Sequence, residues 1–141
     1  MIYKFGKRSL QKLAHVDPRL KELCIDVLEI SQIDFAIVHG YRTPEEQNEL
    51  YKKGKSSKDG YIKKSMHQLK KAIDFVPIFE MKQRWDAWQS AAYIAGLFTA
   101  VAKSKNLRGR TGALWSSFKL IEENTKENNG ILDSWHYEIL D

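Results

Sequence analysis

The sequence predicts an α+β fold, a small antiparallel sheet with helices packed on it. Two observations carry this. Helical signals come early, at 16–31 and 43–53, and return at 86–105, while short β-rich segments lie scattered between and after them at 34–39, 72–77 and 135–140. The length, 141 residues, suits one core and is short of two. A single domain spanning 1–141 is therefore expected.

Val16-Asp17-Pro18 reads as a helix start, with Asp17 as N-cap, Pro18 in the first helical position and Val16 stapling onto the first turns. The helix should reach about Ser31. Leu20, Leu23, Cys24, Val27 and Leu28 then form one apolar stripe, which makes Cys24 a buried small hydrophobe rather than a reactive thiol. Asp34 to His39 is a strand stopped by Gly40. Thr43-Pro44-Glu45-Glu46 forms a capping box, opening a helix to about Lys53 that Gly54 closes. The stretch 55–64, rich in charge and turn formers, reads as a mobile loop.

Ala72 to Pro77 is a second strand, in which alternation puts Ala72, Asp74 and Val76 on one face and Ile73 and Phe75 on the other. The longest helix runs from Asp86 to about Lys105, with Trp88, Ala91, Ala92, Ala95, Phe98, Thr99 and Ala102 as its packing face. Residues 107–132 carry glycines and the Asn128-Asn129-Gly130 turn but no periodicity. Trp135 to Leu140 closes the chain as a strand, with Trp135, Tyr137 and Ile139 facing one way and Ser134, His136 and Glu138 the other.

Composition excludes several classes. Hydrophobic residues at 43% and charged residues at 29% are those of a globular chain, not a disordered one. The single cysteine cannot form an intrachain disulfide. No apolar run approaches a membrane span, and the basic N-terminus lacks the apolar segment of a signal peptide. The net charge of +5 suits a polyanionic partner such as nucleic acid, an acidic membrane face or an anionic cell wall.

Four histidines, His15, His39, His67 and His136, limit any metal site to a short list. His67 precedes Asp74 by seven residues at the start of a strand, and His136 sits on the polar face of another. A carboxylate between apolar strand neighbours is costly to bury without a partner or a metal. A catalytic zinc takes about three protein ligands and leaves one position for water. Spacing alone also allows Asp74 to pair with a Lys or Arg, with both histidines as ordinary partly buried rings. His39 and His15 are read as structural or exposed, and Glu138, on the face of His136, as a group that either orients a metal ligand or pairs with a basic residue.

The order Ser65-Met66-His67, Ala72-Ile73-Asp74 and Asp133-Ser134-Trp135-His136 resembles the zinc peptidases that include D-alanyl-D-alanine carboxypeptidases and dipeptidases and phage L-alanyl-D-glutamate endolysins. Their pattern is Ser-x-His-x6-Asp, with Ala two before the Asp and an acid three before a late His. Phe5-Gly6-Lys7-Arg8-Ser9 and Phe35 to Thr43 look most like the endolysin branch. Two positions depart from the family. Lys70 stands where Gly is usual midway between His and Asp, and Gly112-Ala113-Leu114-Trp115 lacks the usual acid of Gly-Gly-Asp-Trp. Lysine has far less freedom than glycine at positive φ, so an altered turn or a weakened metal geometry is expected at Lys70.

The resemblance implies a hedgehog/D,D-peptidase-like fold and a zinc ion held by His67, Asp74 and His136. It further implies Asp133 as general base, Arg42 as the cation that stabilises an oxyanion or grips a substrate carboxylate, and Gln47 and Ser65 as substrate-binding polar residues. The implied substrate is bacterial peptidoglycan, cut at the L-alanyl-D-glutamate bond. The expected form is a monomer with no specific nucleic acid and no membrane insertion, held in the cytoplasm of the producing cell until the membrane is breached. Three alternatives stay open at this point. They are a D-alanyl-D-alanine carboxypeptidase or dipeptidase, a wall-binding relative that does not cut, and a nucleic-acid binder using lysines between Lys52 and Lys71.

Overall fold

A computed structural model describes residues 2–112 and 135–141. Its elements are α1 (Lys7–Leu13), α2 (Pro18–Ile30), β1 (Asp34–His39), α3 (Pro44–Lys52), β2 (Ala72–Phe79), β3 (Lys82–Gln83), α4 (Trp88–Ser104), β4 (Arg108–Thr111) and β5 (His136–Leu140). The class is α+β. The antiparallel sheet runs β1-β2-β5-β4, and β3 pairs with the far end of β2.

The start of α2 follows its sequence signals. The Asp17 side chain accepts from the Arg19 amide at 2.9 Å, Pro18 is the first helical residue, and Val16 is buried beneath. The buried stripe is Leu20, Leu23, Cys24, Val27 and Leu28, as the periodicity predicts, and burial pushes the Cys24 thiol far up from its ordinary pKa. Thr43 caps α3 by accepting from the Glu46 amide at 3.2 Å.

Several features differ from expectation. Helix α1 has only seven residues, no side-chain cap and two buried positions, too little to leave a periodic signal. It nonetheless covers the edge of the sheet, since the Ser9 hydroxyl accepts from the Ile37 amide of β1 at 3.0 Å; an edge strand needs such cover. Strand β4 falls in the glycine-bearing stretch that carries no strand pattern, and it forms by pairing along β5. Beyond Pro77, β2 continues to Phe79 and turns into β3 through Glu80 and Met81, both left-handed at φ 51° and 63°. On α4 the buried face is Ala91, Ile94, Ala95, Phe98 and Ala102, rotated toward Ile94 and away from the exposed Thr99.

The core lies on one side of the sheet. Phe35 and Ile37 of β1, Ile73 and Phe75 of β2, and Tyr137 and Ile139 of β5 meet the stripes of α2 and α4. Phe98 stacks on Phe75 and Tyr137 with ring centroids 5.5 and 4.8 Å apart. Each large side chain buried there contributes roughly 1.5–3 kcal/mol. Because that face supplies the packing, the opposite face can carry Asp74, His136 and Glu138. Among the described residues no helix is long and apolar enough to cross a membrane.

Candidate metal centre

The sheet register assembles most of the site. Asp74 of β2 lies opposite His136 of β5 on one side and His39 of β1 on the other, so three neighbouring strands present these residues in a single row. His67 arrives from the turn before β2, which is closed by bonds from the Lys70 amide to the His67 carbonyl and from the Lys71 amide to the Met66 carbonyl.

Within this row His67 Nε2 lies 3.3 Å, and His136 Nδ1 3.1 Å, from the same oxygen, Asp74 Oδ1. The two imidazoles meet edge to face with centroids 5.1 Å apart. One ligand atom from each of the three residues lies within 4.8 Å of the others, and both histidines are buried.

Each ring has its other nitrogen engaged. His67 Nδ1 is 2.9 Å from the Gly40 carbonyl, which can only accept, so Nδ1 carries the proton and Nε2 offers its lone pair to the cluster. His136 Nε2 is 2.8 Å from Glu138 Oε1, and an ionised carboxylate likewise only accepts, which turns the Nδ1 lone pair toward Asp74. Two lone-pair nitrogens and a carboxylate oxygen then face one another. Such a donor set is held together by positive charge, either added protons or a cation, and two His with one Asp fit the ligand preferences of zinc.

The charges of the site obey the same logic. With protons rather than an ion between these groups, burial works to raise the Asp74 pKa, but positive charge at His67 and hydrogen bonds from His136, His39 and His67 hold it well below the usual carboxylate range. Burial also works against ionised Glu138, which is nevertheless held low by the His136 hydrogen bond and charge and by Arg110. Arg110 Nε reaches Glu138 Oε2 at 3.1 Å from an exposed position on β4.

Arg42 comes just after β1 and is tied to the His67 turn by its amide, which donates to the His67 carbonyl at 3.3 Å. Its guanidinium donates to Gln47 Oε1 at 2.8 Å. Gln47 is wholly buried, so of the pair only Arg42 has surface open to solvent. Its own amide donates at 2.9 Å to Ser56 Oγ and to the Lys58 carbonyl. These bonds, and three backbone amides donating to Asp59 Oδ1, tie down the irregular stretch 55–64. Ser65 is buried, and its hydroxyl accepts from the Gln68 amide at 3.4 Å, inside the turn that carries His67. Asp133, like Ala113, Leu114 and Trp115, lies outside the described residues.

Lys70 adopts φ 63°, a left-handed conformation that glycine takes without strain and that the lysine here adopts despite its Cβ. Its ammonium sits over the Tyr41 ring, 5.3 Å from the centroid, a contact that offsets part of the strain. His39 is the site residue that sequence reasoning missed. Alternation puts it on the core face with Phe35 and Ile37, but a bulge between Ile37 and His39 turns it to Asp74, with Nδ1 3.0 Å from Oδ2. No sequence signal announces that bulge.

The sequence matches the family described as phage L-alanyl-D-glutamate peptidase over residues 1–140. It is 33% identical, over 99% of this chain and 100% of the relative, to the L-alanyl-D-glutamate peptidase of Escherichia phage T5. Among solved structures it resembles the L-Ala D-Glu endopeptidase ChiX of Serratia marcescens, with TM-score 0.78 and 22% identity over 97% of this chain and 90% of that one. This second likeness is one of fold.

Proposed function

Because the chain belongs to the phage L-alanyl-D-glutamate peptidase family, we propose that it is a zinc peptidase that cuts the L-alanyl-D-glutamate bond of the peptidoglycan stem peptide. The observation that carries the metal assignment is the convergence of His67 Nε2, Asp74 Oδ1 and His136 Nδ1, each ring fixed from behind by an acceptor.

These three atoms would hold the ion. When bound, zinc supplies Lewis acidity and lowers the pKa of a water from ~15.7 towards ~7. Asp133, three residues before His136, takes the water proton and returns it to the leaving amine; the family pattern supports this role. Arg42 offers a planar, permanently charged guanidinium to the developing oxyanion or to a substrate carboxylate, and Gln47 aims it. Ser65 and the Lys70 turn hold His67 in place, and Glu138 holds His136.

The enzyme acts as a monomer, without a nucleic-acid partner and without inserting into a membrane. It waits in the producing cell and reaches the wall once the membrane is breached. A net charge of +5 draws it to the anionic wall, an attraction that salt screens.

Digestion of purified peptidoglycan by the zinc-loaded protein tests the reading. New D-Glu amino termini are expected. Released D-alanine would replace it with a D-alanyl-D-alanine carboxypeptidase or dipeptidase, and an intact wall together with retention of DNA or RNA would overturn it.

A further inference from the structure

Asp74 has two carboxylate oxygens with different surroundings. Oδ1 faces the two imidazoles, and Oδ2 lies 3.0 Å from His39 Nδ1. We propose that His39 is a positioning residue of the metal centre, holding Asp74 so that Oδ1 alone is presented to the ion, an inference that rests on the zinc reading above.

Three observations argue for this. The first is the bulge. In regular pairing His39 would join Phe35 and Ile37 in the core, whereas the extra residue opposite β2 reverses its face and brings it over Asp74. Bulges disrupt the ladder locally and are found where a side chain must be re-aimed beside a site. The second is hydrogen-bond chemistry. An ionised carboxylate only accepts, so His39 Nδ1 donates, and a donor on Oδ2 blocks the rotation that would exchange the two oxygens.

The third is the anchoring of the next residue, Gly40, whose carbonyl accepts from His67 Nδ1 at 2.9 Å. Its backbone is packed so closely that a Cβ there would come within 2.8 Å of the Lys12 carbonyl oxygen. Two consecutive residues, anchored against the end of α1, thus fix two of the three proposed ligands, one through a side chain and the other through a carbonyl. Groups standing behind metal ligands in this way change metal affinity by roughly 10–100-fold when removed.

The His39 side chain is 56% exposed, so its replacement empties no core space, and stability can be separated from metal binding. The test measures zinc affinity by competition with a chromogenic chelator for wild type, His39→Ala and His39→Asn. Asparagine places an amide N–H where Nδ1 stands. Affinity roughly 10–100-fold weaker in His39→Ala, with His39→Asn within about threefold of wild type, is expected. Without metal all three should stay folded, His39→Ala shifted by no more than the loss of one partly exposed hydrogen bond to Asp74. Equal affinity in wild type and His39→Ala, or His39→Asn as weak as His39→Ala, overturns the role of His39 while leaving the zinc site standing. Wild type that binds no zinc overturns both.

Discussion

Gln47 grips the Arg42 guanidinium at 2.8 Å from a position sealed from solvent. The buried amide spends its remaining hydrogen-bonding capacity on Ser56 and the Lys58 carbonyl, so α3, the 55–64 loop and the arginine form one connected unit. Arg42→Ala should lower kcat/KM on wall fragments by roughly 10²–10³-fold, as losing one oxyanion donor does. Gln47→Leu, which leaves the arginine in place but unaimed, should cost about tenfold. The double variant should be no worse than Arg42→Ala alone, because the two residues act through one group. Additive losses would separate them.

Glu138 holds His136 from behind at 2.8 Å and is itself held by Arg110 at 3.1 Å. Removing that acceptor in Glu138→Ala should weaken zinc binding by roughly 10–100-fold. Arg110→Ala, which leaves the carboxylate in place, should weaken it by less. Chelator competition at pH 7 reads both effects, and an unchanged affinity in Glu138→Ala would remove it from the site.

Lys70 holds a left-handed backbone, φ 63°, at a cost of roughly 1–2 kcal/mol for a residue with a Cβ. Its contact with Tyr41 returns about 0.5–1 kcal/mol. Lys70→Gly loses the contact and the strain together, whereas Lys70→Ala loses only the contact. The glycine variant should therefore be the more stable of the two by about 1 kcal/mol in urea unfolding. The reverse order would mean that the turn is not left-handed in solution.

Asp17 caps α2 and is paired with Arg19 at 2.8 Å and Lys71 at 3.4 Å; Lys71 and Arg19 in turn pair with Asp141. The Arg19 hydrogen bond, against an opposing effect of burial, holds the Asp17 carboxyl far below its ordinary value. A depressed folded-state pKa means that its stabilisation is fully present above the unfolded value, ~3.9, and is lost as pH falls through the folded value. Asp17→Asn keeps the cap but not the charge. It should cost about 0.5–1 kcal/mol at pH 7, a difference from wild type that shrinks steadily below pH ~4.

Strong local chemistry made much of this molecule legible from its sequence. The Asp17-Pro18 and Thr43-Pro44 starts, the α2 stripe and the alternation of β2 and β5 were readable because each is set by neighbours within a few residues. For the same reason Asp74 and His136 could be put on the polar faces of two strands, and the family pattern grouped them with His67 from the turn before the first. Features set by distant pairing left no such trace. Strand β4 exists because β5 offers an edge, the Glu80-Met81 turn uses two residues that rarely adopt positive φ where Asn-Gly would have signalled a hairpin, and the His39 bulge is a register event between strands. The partnership of Arg42 with a buried Gln47 was equally hidden, since helical position alone does not say that a polar side chain points inward.

That His67, Asp74 and His136 form a zinc site is tested most directly by zinc content per chain, measured by elemental analysis on wild type and His136→Ala purified without a metal-affinity tag and dialysed against zinc. About one zinc per wild-type chain, largely lost in the variant, is the predicted result for a three-ligand site. Wild type without zinc, or a variant that retains it in full, would contradict the assignment.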